Sequence, residues 1–147
     1  ERTIRSGPKA GTPIPVHTPT HYSATLDFVG GAIGTLVTSF DVRGGSMLPR
    51  IEIYGTEGTL EVPDPNWFTG EVKLRRAGEE TWETLPPVFA SGDNERGRGI
   101  EEMVQAIQEG REHRASGKLA YHVLEAMHAV ARSSKEGRHI LLSPVEL

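Results

Sequence analysis

The chain has 147 residues, enough for one domain with a buried core and too few for two ordinary ones. It is 36% hydrophobic and 24% charged, with 17 Gly and 10 Pro, which is a globular, turn-rich composition and excludes a wholly disordered chain. A net charge of −4 with no basic stripe argues against a nucleic-acid partner, and no apolar run approaches the ~18–20 residues that span a membrane.

There is no cysteine, which excludes disulfides, thiolate metal sites and cysteine nucleophiles and fits a cytoplasmic location. The opening ERTIRSGPKAGTPIP has no apolar segment of the kind a signal peptide needs. It also lacks an initial Met, so residue 1 is expected to be internal to a longer protein.

Residues 1–15 show no periodicity and read as a loop or extended arm. Ala24, Leu26 and Phe28 then alternate with Thr25 and Asp27, the period of a half-buried strand. Gly30-Gly31 predicts a tight hairpin into a second strand from Ala32 to Val42. That strand is apolar on both faces, with Ile33 and Val37 on one and Leu36 and Phe40 on the other, so both faces are expected to be covered. Ile51 and Ile53 open a further strand, Gly55-Thr56-Glu57-Gly58 a turn, and Leu60 and Val62 the return. Pro63, Pro65 and Asn66 end it. Val72 and Leu74 lie between charged residues, and Trp82 to Leu85 is a short strand stopped by Pro86-Pro87.

Beyond the loop 88–98 the period changes. Ile100, Met103, Val104 and Ile107 predict a helix that stops at Gly110. Ser116 is a suitable N-cap for a second helix, whose apolar face holds Leu119, Val123, Leu124, Met127 and Val130, and Gly137 closes it. His139 to Leu142 reads as a final strand. Strands, then helices, then a strand predict an α+β fold: an open, mostly antiparallel sheet with helices packed on one face, as a single domain over 1–147.

Two stretches are the most specific: YGTEGTL followed by PDPN, and the ending RASG, helix, SS, EG. In this order they resemble the C-terminal domain of the glucose–fructose oxidoreductase / inositol dehydrogenase (Gfo/Idh/MocA) family over roughly residues 15–142. The resemblance implies a two-domain, NAD- or NADP-dependent oxidoreductase of sugars or polyols. This chain would be its substrate-binding and oligomerising half, inactive alone. Its partners would be a nucleotide-binding domain not included in this chain and, through the open sheet face, further copies of itself. The family's Glu-Lys-Pro lysine has no counterpart here, nor does its acid/base His. No G-x-G-x-x-G occurs either, since Gly30-Gly31-Ala32-Ile33-Gly34 falls inside a hairpin. No catalytic, cofactor-binding or metal-binding residue is therefore assigned.

The loop 92–98 concentrates donors before the first helix. In the family the equivalent loop approaches the substrate, so Asn94, Arg96 and Arg98 are candidates for hydrogen bonds to sugar hydroxyls or a carboxylate; solvated loop charges are the plain alternative. His122, Glu125 and His128 fall at steps of three on one helix, which sets the two imidazoles about 120° apart and suits packing better than a shared metal. His122 near the domain's inner face is kept as a possible substrate-lining residue. Trp67 and Phe68 form either a ligand platform or, more plainly, a cover for the sheet edge. His17 and His21 read as surface residues, and Ser133-Ser134 as a helix-end feature.

A free-standing scaffolding module using the sheet for protein contacts is the rival reading, with a lone carbohydrate-binding domain behind it. Aromatics are only 6%, which counts against the latter. The length of the natural reading frame separates the first two.

Overall fold

The computed structural model describes residues 1–88, 92 and 95–144. They form two compact units: Glu1–Gly45 with the chain from Lys118 onward, and Ser46–Gly117.

The first unit opens with a departure from the sequence reading. Instead of an irregular arm, β1 (Arg2–Thr3) and β2 (Pro13–Ile14) pair antiparallel. The Ile4 N–H donates to the Thr12 carbonyl at 3.0 Å, and the Gly11 N–H to the Ile4 carbonyl at 2.8 Å. Two residues per strand are too short to carry an alternating pattern, so periodicity does not reveal them.

β3 (His21–Asp27) and β4 (Ile33–Ser39) form the expected hairpin, in a register that sets Ala24 opposite Leu36 and Ser23 opposite Val37. The Phe28 N–H bonds the Ala32 carbonyl at 2.9 Å, leaving a three-residue loop of Val29, Gly30 and Gly31. Only Gly31 takes a positive φ, of 86°, so the second glycine is the one the turn requires. Within the described residues of this chain alone, neither face of β4 is covered: Ile33 and Val37 are exposed on one face and Leu36 and Phe40 on the other. An apolar strand reports that cover is needed, not what supplies it. Below the hairpin, Arg2 bonds the Phe40 carbonyl at 3.0 Å and Asp41 at 2.9 Å, while the Thr20 hydroxyl donates to Asp41 at 2.5 Å. The Thr20 hydrogen bond, with further help from Arg2, holds the Asp41 carboxyl below its usual range.

α2 (Gly117–Glu136) begins directly after Ser116 and ends at Gly137, as its pattern predicts. The segment after it is not a strand among the described residues. His139 pairs with the Asp27 side chain at 3.7 Å, and the Ser143 hydroxyl donates to Glu125 at 3.2 Å. Side-chain contacts take up the role that ladder hydrogen bonds were expected to have.

The second unit contains a four-stranded antiparallel sheet, β5 (Ile51–Gly55), β6 (Gly58–Val62), β7 (Val72–Arg76) and β8 (Glu83–Leu85), in that order. Ile53 faces Leu60, Leu60 faces Leu74, Ile51 faces Val62 and Val72 faces Leu85. Partners across a ladder share a face, so these residues make one apolar side. Glu52, Tyr54, Glu61, Lys73 and Arg75 make the other, where the Tyr54 hydroxyl bonds Glu52 at 2.6 Å and Arg75 lies 5.2 Å from the Trp82 ring centroid. α1 (Arg98–Glu109) follows; the Gly110 N–H caps the carbonyls of Ala106 and Ile107.

The chain is thus α+β, with open antiparallel sheets. Within each unit, no described Cα of the helix lies within 8 Å of a strand. Among the described residues only Ala106 and Ala129 are buried apolar side chains. Sheet and helix therefore both keep apolar surface available for burial. No described helix is long and apolar enough to cross a membrane.

Candidate functional site

In the second unit, the turn after β6 is built around Asp64. Its carboxylate accepts the Asn66 N–H at 2.9 Å, its carbonyl accepts the Trp67 N–H at 3.1 Å, and Arg50 approaches the free carboxylate oxygen to 3.5 Å. This is the aspartate turn that PDPN encodes. Gly70 completes it at φ 154°, so close to the Pro63 ring that an added Cβ would stand 2.4 Å from the Pro63 Cβ. The turn therefore folds back on its own start and presents two aromatic side chains. Trp67 is 70% exposed and Phe68 39%. Trp67 is thus the more open of the two aromatics.

The second component is the approach to α1. Glu95 accepts the Gly92 N–H at 2.5 Å and ion-pairs with Arg98, the first residue of the helix. The Arg98 hydrogen bond, then the Gly92 N–H, hold the Glu95 carboxyl below its ordinary range. The Arg96 guanidinium lies 5.8 Å from the Phe68 ring centroid, within cation–π range. Two segments about thirty residues apart in sequence thus meet through Arg96 and Phe68.

The four residues named from sequence fare differently. Arg96 reaches the aromatic turn. Arg98 is tied to Glu95, which makes it a part that shapes the loop. Asn94 lies outside the described residues. His122 belongs to the other unit, on α2, with its Nδ1 4.0 Å from Glu125. Sequence reasoning passed over Glu95, although an acid three residues before an Arg at a helix start is a readable signal. The Phe68–Arg96 meeting had no such signal. Among the described residues, no group of three or more acidic or His side chains is placed to hold a metal. Among the described residues the Gly30-Gly31 turn, which joins two strands, does not fit the strand-to-helix phosphate turn of a dinucleotide site.

The basic run after α1 is likewise occupied locally. Arg111 bonds Glu102 at 2.6 Å and Glu109 at 2.5 Å, and the Arg114 N–H bonds Glu102 at 3.1 Å. Chiefly through Arg111, the Glu102 carboxyl is held below its ordinary range. A carboxylate with a depressed folded pKa contributes stability above its unfolded pKa, and that contribution is lost as pH falls through the folded value. Glu102→Gln is therefore expected to melt below the parent at pH 7, with the two melting temperatures converging as pH falls below the usual carboxylate range. Equal melting at pH 7 would remove this clasp as a stabilising feature.

A family model for the C-terminal alpha/beta domain of an oxidoreductase family, Gfo/Idh/MocA, matches residues 14–147. The chain belongs to that family. No curated protein and no solved structure matches it significantly. In the second unit, Arg96 and Phe68 bring an exposed aromatic turn and the approach to α1 together.

Proposed function

We propose that this chain is the substrate-side and assembly domain of an NAD- or NADP-dependent oxidoreductase acting on a sugar or polyol. The family match over residues 14–147 carries the reading. The nicotinamide supplies hydride chemistry, and a nucleotide-binding domain of the same parent enzyme holds it. What this chain contributes is binding and orientation. Arg96, seated on Phe68, offers a planar set of donors suited to vicinal hydroxyls or a carboxylate. Asn94, two residues before Arg96 in the sequence, would add an amide. Arg98 acts by keeping the loop's shape through Glu95. The open sheet faces pack against a second copy of the chain by a two-fold contact.

The test is made in the parent enzyme. Arg96→Ala is expected to lower kcat/KM by ~10-fold or more, as for loss of one charge-assisted contact, with the fold intact by circular dichroism. Arg96→Lys keeps the charge but loses the planar fork, and should recover only part of the loss. Parent-like kinetics in Arg96→Ala would take the loop out of the substrate site.

A further inference from the structure

The segment after α2 in the first unit contains side chains that the proposed substrate site does not use. α2 turns at Gly137, whose N–H bonds the Ser133 carbonyl at 2.9 Å, and the Ser133 hydroxyl donates to the Arg138 carbonyl at 2.8 Å. The chain then runs back along the helix. His139 meets Asp27, at the end of β3, at 3.7 Å; four residues later Ser143 donates to Glu125 Oε1 at 3.2 Å. Residues 137–143 thus connect the β3–β4 hairpin to the middle of α2.

The far attachment is unfinished. Glu125 Oε2 and His122 Nδ1 face each other at 4.0 Å. Both atoms are sealed from solvent and make no hydrogen bond among the described residues. A dry, unpaired nitrogen beside a dry, unpaired carboxylate oxygen is costly, and the nearest remedy for each is the other. A side-chain rotation of about 1 Å at the tip closes them to hydrogen-bond distance. Closure requires the proton on Nδ1, because the other neutral tautomer would set two lone pairs against each other.

We infer that His122, Glu125 and Ser143 form a clasp for a C-terminal strap: His122 Nδ1–H fixes the Glu125 carboxylate, and the fixed carboxylate seats Ser143. His122 is then a positioning residue for the chain's own end, not a group that lines the substrate. On its way the strap passes beside the end of β3, where His139 Nδ1 lies 3.7 Å from the Asp27 carboxylate. Arg138 stays out of the clasp, since it pairs with Glu136 at 2.6 Å.

The full chain serves for the test. Nitrogen-15 NMR of the imidazoles should show the His122 proton on Nδ1; a bare Nδ1 in the neutral ring overturns the clasp. By hydrogen exchange and mass spectrometry, Ser143→Ala and Glu125→Ala should each speed amide exchange across 139–143 by ~10-fold, with β5–β8 unchanged. His122→Phe, which keeps a ring but removes the donor, should do the same. Parent-like exchange in His122→Phe, or a parent strap already exchanging at the rate of an unstructured chain, refutes the inference. Because the tautomer is read on the parent protein, a variant that fails to fold leaves the question decidable.

Discussion

Gly58→Ala is expected to cost about 3 kcal/mol of stability, near the upper end for overpacking at a site that cannot yield. An added Cβ would stand 2.4 Å from the Arg75 carbonyl oxygen and 3.1 Å from the Arg76 Cα. Both are backbone atoms of the neighbouring strand, so no side chain can swing aside. Relief would require parting β6 from β7 at the end of their ladder, where Gly58 pairs with Arg76, and β6–β7 is the middle ladder of the four-stranded sheet. Gly55→Ala is the control. It sits across the same turn, but its nearest atom is the Gly58 carbonyl oxygen at 3.5 Å, an ordinary contact. Urea unfolding followed by circular dichroism should show a large fall in midpoint for Gly58→Ala and a small one for Gly55→Ala. Coincident curves for Gly58→Ala and the parent would show that the strands part at little cost.

The second large effect concerns self-association through β3 and β4, and it rests on the proposed assembly role. Val37 is 60% exposed on one face of the hairpin, and Phe40 78% exposed on the other. Ile33 adds to the first face and Phe28 to the second, by alternation and cross-strand register. Aliphatic and aromatic residues on both sides of a two-stranded ribbon are more than a soluble chain leaves bare without a partner. In light scattering the parent should show at least twice the monomer mass at ~50 µM, with the mass falling on dilution as mass action requires. Val37→Asp should weaken association by ~10-fold or more, since a charge buried at an apolar contact has no partner there. A parent that stays monomeric at every concentration would end this assignment.

Much of the local structure was legible because it follows from short-range chemistry. The strand and helix periods, the stops at Gly110 and Gly137, the two-residue turn at Thr56-Glu57 and the Asp64 turn are each set by residues within a few positions of one another. The paired ends of the arm were not legible, since two-residue strands have no period. The strand expected at 139–142 has the right residue types but no ladder partner among the described residues: His139 lies beside Asp27, and Ser143, the residue just after this stretch, bonds Glu125. At the candidate site, sequence supplied Arg96 as a donor in a promising loop. It could not tell that Phe68 would lie beneath Arg96, or that Glu95 would occupy Arg98.

The division has one physical cause. Turn chemistry, helix caps and alternating patterns are written into neighbouring residues, so the sequence by itself determined the α+β class, the hairpin with its YGTEGTL turn and the family resemblance that residues 14–147 bear out. Which side chain meets which across a long stretch of chain depends on how the backbone brings them together. Only the tertiary structure decided that Arg96 lies over an aromatic turn, that Gly58 must have no side chain because Arg75 passes beside it, and that His122 Nδ1 comes within 4.0 Å of Glu125.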